Sequence, residues 1–297
     1  MAEKDIVEKQ LESYPDVMAD ILNVIIYQGR EVVKGEELYL VAARTQFKAA
    51  GKIHEQERDV VFRRIKDGKP VALFGLENQT VEDQDMVFRN DSYDGASSKE
   101  QVLQHIRAKN KKMNIPKDPS YPVVTLVLYY GLDHWTAPTT YLDALEAEDD
   151  PDLLPFISDR KINVVEIAFM TRRQVMMFKS DFRFVVDYFV QKRETGKYIP
   201  PNWPIKHVDA TLKAMSVLTG DNSFEEIYNK YNSQEGEDVT MREIYDNAIQ
   251  EGRTEQLKEC IIALKGCIPP ELMAEKLNIP LQQVLDILAE ADNPNPN

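Results

Sequence analysis

The sequence has little cysteine and no long apolar run. Its only cysteines are Cys260 and Cys267, and neither a histidine nor a third cysteine stands near them at ligand spacing. We therefore expect reduced, structural thiols rather than a zinc site or a disulfide. No window approaches the roughly 18 consecutive apolar residues of a membrane span. The N-terminus also lacks the basic start and apolar core of a signal peptide, so we expect a cytoplasmic protein without membrane contact.

The sequence has fewer basic than acidic residues, 36 Lys or Arg against 50 Asp or Glu. The formal net charge of −14 opposes the long-range attraction to phosphate that nucleic-acid binding uses. The bases are concentrated, however, with seven Lys or Arg against three acids between Arg44 and Lys66, and five bases without an acid between Arg107 and Lys117. Each run alone is typical of a solvated face. A basic zone beside an acidic centre is also what a metal-dependent nuclease needs.

The most informative stretch is a predicted β-hairpin. Apart from Asp59, residues 58–65 are β-branched, aromatic or basic, and residues 71–76 form a nearly unbroken apolar run. Between them lies Lys66-Asp-Gly-Lys69, which has the composition of a tight turn. The second arm should be a buried strand.

Two acids stand at the open end of this hairpin. Asp59 and Glu77 are each nine residues from Gly68, so a three-residue loop centred on Gly68 would place them directly opposite each other on one face. A two-residue loop would instead put them on opposite faces. Along the second strand, Gln79 shares the side of Glu77, and Asn78 points the other way.

Two carboxylates that close repel each other unless a cation lies between them. Oxygen ligands at a strand end suit Mg²⁺, which commonly keeps several waters and takes one or two protein carboxylates. The alternative is that Asp59 and Glu77 are simply solvated residues at the end of a hairpin.

Several further segments share a pattern with one protein family. They are Arg58-Asp-Val, Gly75-Leu-Glu-Asn-Gln-Thr80, Asp85-Met, Arg89, Tyr93-Asp-Gly-Ala-Ser97, Pro122-Val-Val-Thr-Leu-Val-Leu-Tyr-Tyr-Gly131, Lys161-Ile-Asn-Val-Val-Glu-Ile-Ala-Phe169, Phe178-Lys-Ser-Asp-Phe182 and Met215-Ser-Val-Leu-Thr-Gly220. In these segments the chain resembles the recombination-promoting nuclease (Rpn) and putative transposase family, within the PD-(D/E)xK nuclease superfamily. The resemblance covers roughly residues 4–221.

The resemblance implies an α/β fold with a restriction-endonuclease-like core, in which a mixed sheet is flanked by helices. It implies that Asp59 and Glu77 bind Mg²⁺ or another divalent cation, with the backbone carbonyl of Asn78 as a further ligand. Gln79 occupies the position of the motif's lysine, where a neutral amide can orient water or phosphate but supplies no positive charge. In this superfamily the first helix often adds an acid to the metal, and Asp20 is the candidate here.

The basic residues nearest this centre are the expected nucleic-acid contacts. Ala42 to Glu57 is predicted to be a mobile basic loop, and the segment from Thr80 to Asp94 is predicted to be irregular. The helix after it should run from about Ser98 to Lys111. The predicted DNA contacts are Arg44, Lys48, Lys52, Arg58 and Arg89.

The remaining pattern predicts two regions. Residues 1–235 form the nuclease-like domain, with helices over 16–27, 171–192 and 207–218 and strands over 121–131 and 162–169. Residues 236–292 form a helical extension, with a long helix over 240–265 and two short helices in a helix-turn-helix outline. Residues 293–297 are predicted to be disordered.

The short tail helices carry five acids and one lysine between Glu271 and Asp292. This balance favours packing or homodimer formation over base readout.

Our interpretation is that the protein is a Mg²⁺-dependent DNA endonuclease that hydrolyses phosphodiester bonds. A link to recombination or mobile elements is implied only by the resemblance. The alternative hypothesis is a catalytically weak or inactive protein of the same fold that binds or assembles through its C-terminal helices.

Overall fold

A computed structural model describes residues 10–41, 44–49, 52–110, 120–145, 151–230 and 239–292. The chain divides into two compact units, Met1–Ile199 with Lys206–Tyr228, and Pro200–Ile205 with Asn229–Asn297. We call them the sheet unit and the helical unit. The predicted boundary between 235 and 236 lies outside the described residues, as does the predicted disordered end at 293–297.

A five-stranded mixed sheet organises the sheet unit. Its order is β1-β4-β5-β6-β7; β1, β4 and β5 pair antiparallel, whereas β5, β6 and β7 pair parallel. The protein is thus mixed α/β, with a sheet flanked by helices. The strands are β1 Leu38–Leu40, β2 Arg44–Ala49, β3 Lys52–Glu57, β4 Val60–Lys66, β5 Lys69–Gln79, β6 Val123–Tyr129 and β7 Asn163–Glu166.

The predicted loop over Ala42 to Glu57 is wrong for most of its length. Strands β2 and β3 pair antiparallel as a separate two-stranded sheet, from Arg44 opposite Glu57 to Ala49 opposite Lys52. In β2, Phe47 and Ala49 alternate with polar residues as in a strand, but β3 shows no alternation, and the many charges in the segment obscured the pattern.

The helices of the sheet unit include one that begins earlier than predicted. Helix α2 begins at Met86, although the sequence predicts an irregular segment there. Asp83 accepts a hydrogen bond from the backbone of Asp85 (2.9 Å) just before the helix. Its buried face repeats at helical spacing through Met86, Asn90 and Tyr93, and the polar Asn90 broke the apolar pattern. The helices are α1 Pro15–Ile25, α2 Met86–Asn110, α3 Tyr141–Ala144, α4 Arg172–Val175, α5 Phe182–Thr195, α6 Val208–Thr219 and α7 Asn222–Lys230.

The single helix predicted over 171–192 is interrupted. Helix α4 ends at Val175 and α5 begins at Phe182. In the gap, the carboxylate of Asp20 accepts hydrogen bonds from the backbone N–H groups of Lys179 and Ser180, each at 2.7 Å. A continuous helix would use those groups internally. Instead they bond to a residue distant in sequence, in the gap just before α5.

The helical unit has its own apolar core. It contains α8 Met241–Ala263, α9 Pro270–Leu277 and α10 Leu281–Asp292, as predicted for the long helix and the two short ones. Thr240 and Glu243 form a reciprocal capping box at the start of α8, which satisfies backbone N–H groups that a helix start leaves unpaired. The buried residues at the centre are Ile261, Met273, Ala274, Val284 and Ile287.

The apolar residues of the tail helices are only partly covered. Val284 is fully buried, and Leu277 and Leu288 pack against the core of the helical unit. Leu272 and Leu285 remain 38% and 41% exposed. Among the described helices, none is both long and apolar enough to cross a membrane.

Candidate metal and phosphate site

The turn between β4 and β5 differs from the one predicted. Lys66 pairs with Lys69, so the turn contains only Asp67 and Gly68. Both have positive φ, 51° and 74°, as a type I′ hairpin turn requires. Taken alone, this two-residue turn would place Asp59 and Glu77 on opposite faces.

A β-bulge next to the turn restores the register. Arg64 pairs with Ala72 and Ile65 with Pro70, so Val71 is an extra residue on β5. One extra residue shifts the pairing of everything beyond it. Bulges give a weak sequence signal, and neither the bulge nor the short turn was predicted.

The described pairing of β4 with β5 ends just before the two acids. Val60, the first residue of β4, pairs with Leu76, and Asp59 lies just outside the strand. The placement of Asp59 opposite Glu77 on one face therefore stays a prediction.

Glu77 is a buried acid with an unsatisfied oxygen. Its side chain is 2% exposed, and Oε2 accepts a hydrogen bond from Arg89 Nη2 at 3.3 Å. Within the described part of the chain, no donor reaches the buried Oε1. Burial, and next the negative charge of Asp59, raise the pKa of Glu77 from 4.5 to about 7, although Arg89 and Arg58 oppose the rise.

Asp59 is exposed and joins the backbone of β5. Its Oδ2 accepts a hydrogen bond from the backbone N–H of Asn78 at 2.6 Å. The side-chain oxygen of Asn78 in turn accepts from the Tyr130 hydroxyl at 2.9 Å, and Tyr130 is itself buried. Tyr130 thus anchors Asn78 to the sheet next to the exposed acid.

Glu12 is a third acid that the sequence did not reveal. It lies in a 3₁₀ helix, Leu11–Ser13, and is 2% exposed. Burial raises its pKa to about 7, its own backbone and the Asn78 side chain oppose the rise by hydrogen bonding, and Asp59 adds to it. Among the described residues, none donates to its buried Oε1. A three-residue helix is too short to show a hydrophobic periodicity, so nothing in the sequence indicated that Glu12 is buried.

The acid expected from the first helix is engaged elsewhere. Asp20 does lie on α1, but its carboxylate holds the backbone of Lys179 and Ser180. The expectation that Asp20 is a metal ligand is therefore corrected, because its described contacts explain it as a structural residue. Glu12, which is coupled to Asp59, takes its place in the candidate site.

Arg58, predicted as a DNA contact, is inside the fold. It is 3% exposed and donates to Ser97 (2.9 Å) and Asp94 (3.4 Å). A Cβ added at Gly75 would lie 2.8 Å from its guanidinium, so Gly75 makes room for it. Burial lowers the pKa of Arg58, and Asp94 and Glu77 oppose the change. A phosphate cannot reach so enclosed a group, and the predicted role of Arg58 in DNA binding is wrong.

Arg89 lies at the edge of the site and is bound to acids. It is 39% exposed and donates to Glu77, to Asp83 at 2.5 Å and to the Tyr93 hydroxyl at 3.3 Å. The hydrogen bonds to Tyr93 and Asp83 raise the pKa of Arg89 despite its partial burial. Arg89 therefore offsets part of the charge on Glu77.

The structure shows fewer side-chain contacts for the remaining predicted site residues. Gln79 is half-buried, and its carbonyl accepts from the backbone of Tyr130 at 2.8 Å. Arg44, Lys48 and Lys52 lie on β2 and β3, but their side chains are outside the described part of the structure. The second basic run, between Arg107 and Lys117, falls largely outside it as well.

A cavity of about 460 Å³ opens beside the acids. Glu12, Asp59 and Asn78 line it together with Lys213 from α6. Its remaining lining residues are Gln10, Leu11, Thr80, Ala210, Ala214, Val217 and Leu218.

The oxygen atoms of Asp59, Glu77 and the Asn78 backbone are of the kind that a hard divalent cation prefers as ligands. Glu77 and Asp59 are electrostatically coupled, and the buried Oε1 of Glu77 is an acceptor in need of positive charge. Two carboxylates and a carbonyl are enough protein ligands for Mg²⁺. The described ranges contain no group of three or more His, Cys, Asp or Glu residues that could hold a metal ion.

Comparisons with known proteins add no assignment. Searches of protein-family models, of curated proteins and of solved structures each found no match.

Proposed function

We propose that this protein is a Mg²⁺-dependent endodeoxyribonuclease of the Rpn and putative transposase type with a PD-(D/E)xK core. The observation that carries the proposal is the group of coupled acids at one end of the sheet. Two of them, Glu12 and Glu77, are almost fully buried with pKa values of about 7. Strongly perturbed acids are typical of functional sites, and Glu12 lines a cavity together with Asp59.

Burial of these acids needs a physical reason. An unpaired buried carboxylate is costly, and a purely structural role would be served better by an apolar residue. A divalent cation at Asp59 and Glu77 would offset the charge. The five-stranded mixed sheet flanked by helices is compatible with the core that the sequence resemblance implies.

Each side chain then has a defined task. Asp59 and Glu77 hold the cation with the carbonyl of Asn78, and Tyr130 fixes the Asn78 side chain. When bound, the ion would polarise the phosphodiester and lower the pKa of an attacking water. Glu12, with a pKa near neutrality, is suited to accept the proton that this water loses. Gln79 orients water or phosphate by hydrogen bonding, and the link to recombination or mobile elements rests on the resemblance alone.

The direct test is plasmid cleavage by the purified protein with and without Mg²⁺. We expect nicked and linear products only when the metal is present, and their loss on addition of a chelator. Asp59→Asn should be inactive, whereas Glu36→Gln, a change at an exposed acid on the surface, should cleave normally. Metal-independent cleavage, or none by any preparation, would refute the proposal.

A second candidate is a non-catalytic binding or assembly protein that acts through the helical unit as a homodimer. Two observations favour it. Gln79 cannot supply the charge of the motif's lysine, and Ile262, Leu272, Leu281 and Leu285 expose between 38% and 45% of their surface. Apolar residues on short helices are often covered by a second subunit.

Light scattering separates the candidates. The double change Leu281→Ser and Leu285→Ser should convert a dimer to a monomer if these side chains form the interface. Deleting α9 and α10 would be a poorer test, because Met273 and Val284 cover the buried Ile261. An unchanged mass per particle would argue against assembly through this surface.

A further inference from the structure

One wall of the cavity is formed by α6, which was not expected to belong to the site. Ala210, Lys213, Ala214 and Val217 line the cavity. They follow the three- and four-residue spacing that places side chains on one face of a helix. The two alanines have short side chains and so leave space in the cavity, and Lys213 is half-buried beside them.

The cavity is also lined by acids. Glu12 and Asp59 both line it, and an anionic phosphodiester that enters would be repelled by them. A metal ion held by Asp59 and Glu77 would offset part of that charge. A further cation in the cavity wall would be needed to hold the phosphate itself.

Two other described cations lie near the acids but do not line the cavity. Arg58 is enclosed by Asp94 and Ser97, and Arg89 bridges Glu77 and Asp83. Gln79 is neutral. Among the described residues that line the cavity, Lys213 is the sole cation.

We infer that Lys213 is a phosphate-binding residue, which contacts the non-bridging oxygens of the DNA substrate in this cavity. The inference rests on the proposed function and deepens it, because it identifies a positive group that the neutral Gln79 cannot provide. It also gives α6 a role in holding substrate. A lysine ammonium suits this task as a compact point charge.

The test measures DNA binding and its salt dependence. A short fluorescein-labelled duplex is titrated in Mg²⁺ with the Glu77→Gln protein, in which cleavage is blocked. Adding Lys213→Gln should lower the slope of log affinity against log salt by about one and weaken binding by about tenfold near 0.1 M salt. Lys213→Arg should retain both values.

The matched control is Lys66→Gln. Lys66 is exposed at the hairpin turn, at the opposite end of β4 from Asp59, so its removal should leave the slope unchanged. If Lys213→Gln also leaves the slope and affinity unchanged, the inference is wrong.

Cleavage by proteins with Glu77 intact separates the two proposals. If wild-type protein cleaves and Lys213→Gln cleaves with the same kcat/KM, the inference fails and the nuclease proposal stands. If no protein cleaves but Lys213→Gln still lowers the salt slope, the nuclease proposal fails and phosphate binding by Lys213 stands. If wild-type protein neither binds nor cleaves DNA, both are overturned.

Discussion

The end of the sheet and the helical unit bury different kinds of residue. Near the cavity, Glu12 and Glu77 are each 2% exposed, and each has a buried oxygen that no described donor reaches. The core of the helical unit consists of Ile261, Met273, Ala274, Val284 and Ile287. The helical unit is held together by ordinary apolar packing, whereas the sheet end keeps charged groups where they oppose stability.

This contrast points to function at the sheet end. A shift of one pKa unit corresponds to about 1.4 kcal/mol, so two acids raised from 4.5 to about 7 weaken the folded state by a few kcal/mol at neutral pH. Proteins retain such groups where they are used. Changes at the two regions should therefore have opposite consequences.

The largest expected effect is on activity at Glu77. Glu77→Gln removes a proposed metal ligand while keeping the size of the side chain. It should reduce Mg²⁺-dependent nicking by on the order of a thousandfold, as measured by conversion of supercoiled plasmid. The protein should remain folded by circular dichroism. Nicking at the wild-type rate would remove Glu77 from the site.

The converse change is in the helical unit. Ile261→Ala leaves a cavity in a packed core and should destabilise this unit by about 2–5 kcal/mol, as measured by urea unfolding. Leu285→Ala, at an exposed position of the same unit, should cost less than about 0.5 kcal/mol. Equal losses for the two variants would mean that the described core does not hold the unit together.

Glu12→Gln should change how stability depends on pH. Below pH 4.5 the folded and unfolded states both hold the proton. Between pH 4.5 and about 7 the unfolded chain releases a proton that the folded protein keeps, so the free energy of unfolding falls as pH rises.

The Glu12→Gln variant lacks this carboxyl group. Its free energy of unfolding should therefore fall less between pH 5 and pH 8 than that of the wild type, by about 1–3 kcal/mol. Denaturant titrations at both pH values measure the difference. Glu36→Gln is the control and should follow the wild type. An identical decline in Glu12→Gln would contradict the raised pKa.

The smallest effect concerns Gln79. Gln79→Lys restores the positive group of the common motif and should retain or raise the initial rate of nicking. An inactive variant would mean that the site has been rebuilt around the amide, with Lys213 as its cation. Rates should be compared at equal Mg²⁺ concentration.

The sequence was a good guide to regular elements and a poor guide to what interrupts them. Alternation and apolar runs predicted β4, β5 and β6, and helical periodicity predicted α1, α6 and α8. The break between α4 and α5 was not predicted, and the backbone within it bonds to Asp20, which is about 160 positions away. The start of α2 was missed because the polar Asn90 lies on its buried face.

The site shows the same division. Asp59 and Glu77 were predicted to face each other across a three-residue turn. The turn has two residues, and the bulge at Val71 returns β4 and β5, as far as Val60 and Leu76, to the register that this prediction assumed. The burial of Arg58 and the approach of Glu12 depend on tertiary packing that no local pattern encodes. The residue types pointed to the end of β5 as the site. Tertiary packing determines which acids and bases lie near it.

The most direct test of the cation site is calorimetric titration with Mn²⁺, a hard divalent ion with ligands like those of Mg²⁺. A ligand must lose its proton to bind metal, and the pKa of Glu77 is about 7. Binding at pH 6.5 to 7 should therefore release protons, seen as a heat that depends on the buffer, and this release should vanish at pH 9. Glu77→Gln should abolish it. Absence of Mn²⁺ binding, or the same proton release in Glu77→Gln, would contradict a cation site at Asp59 and Glu77.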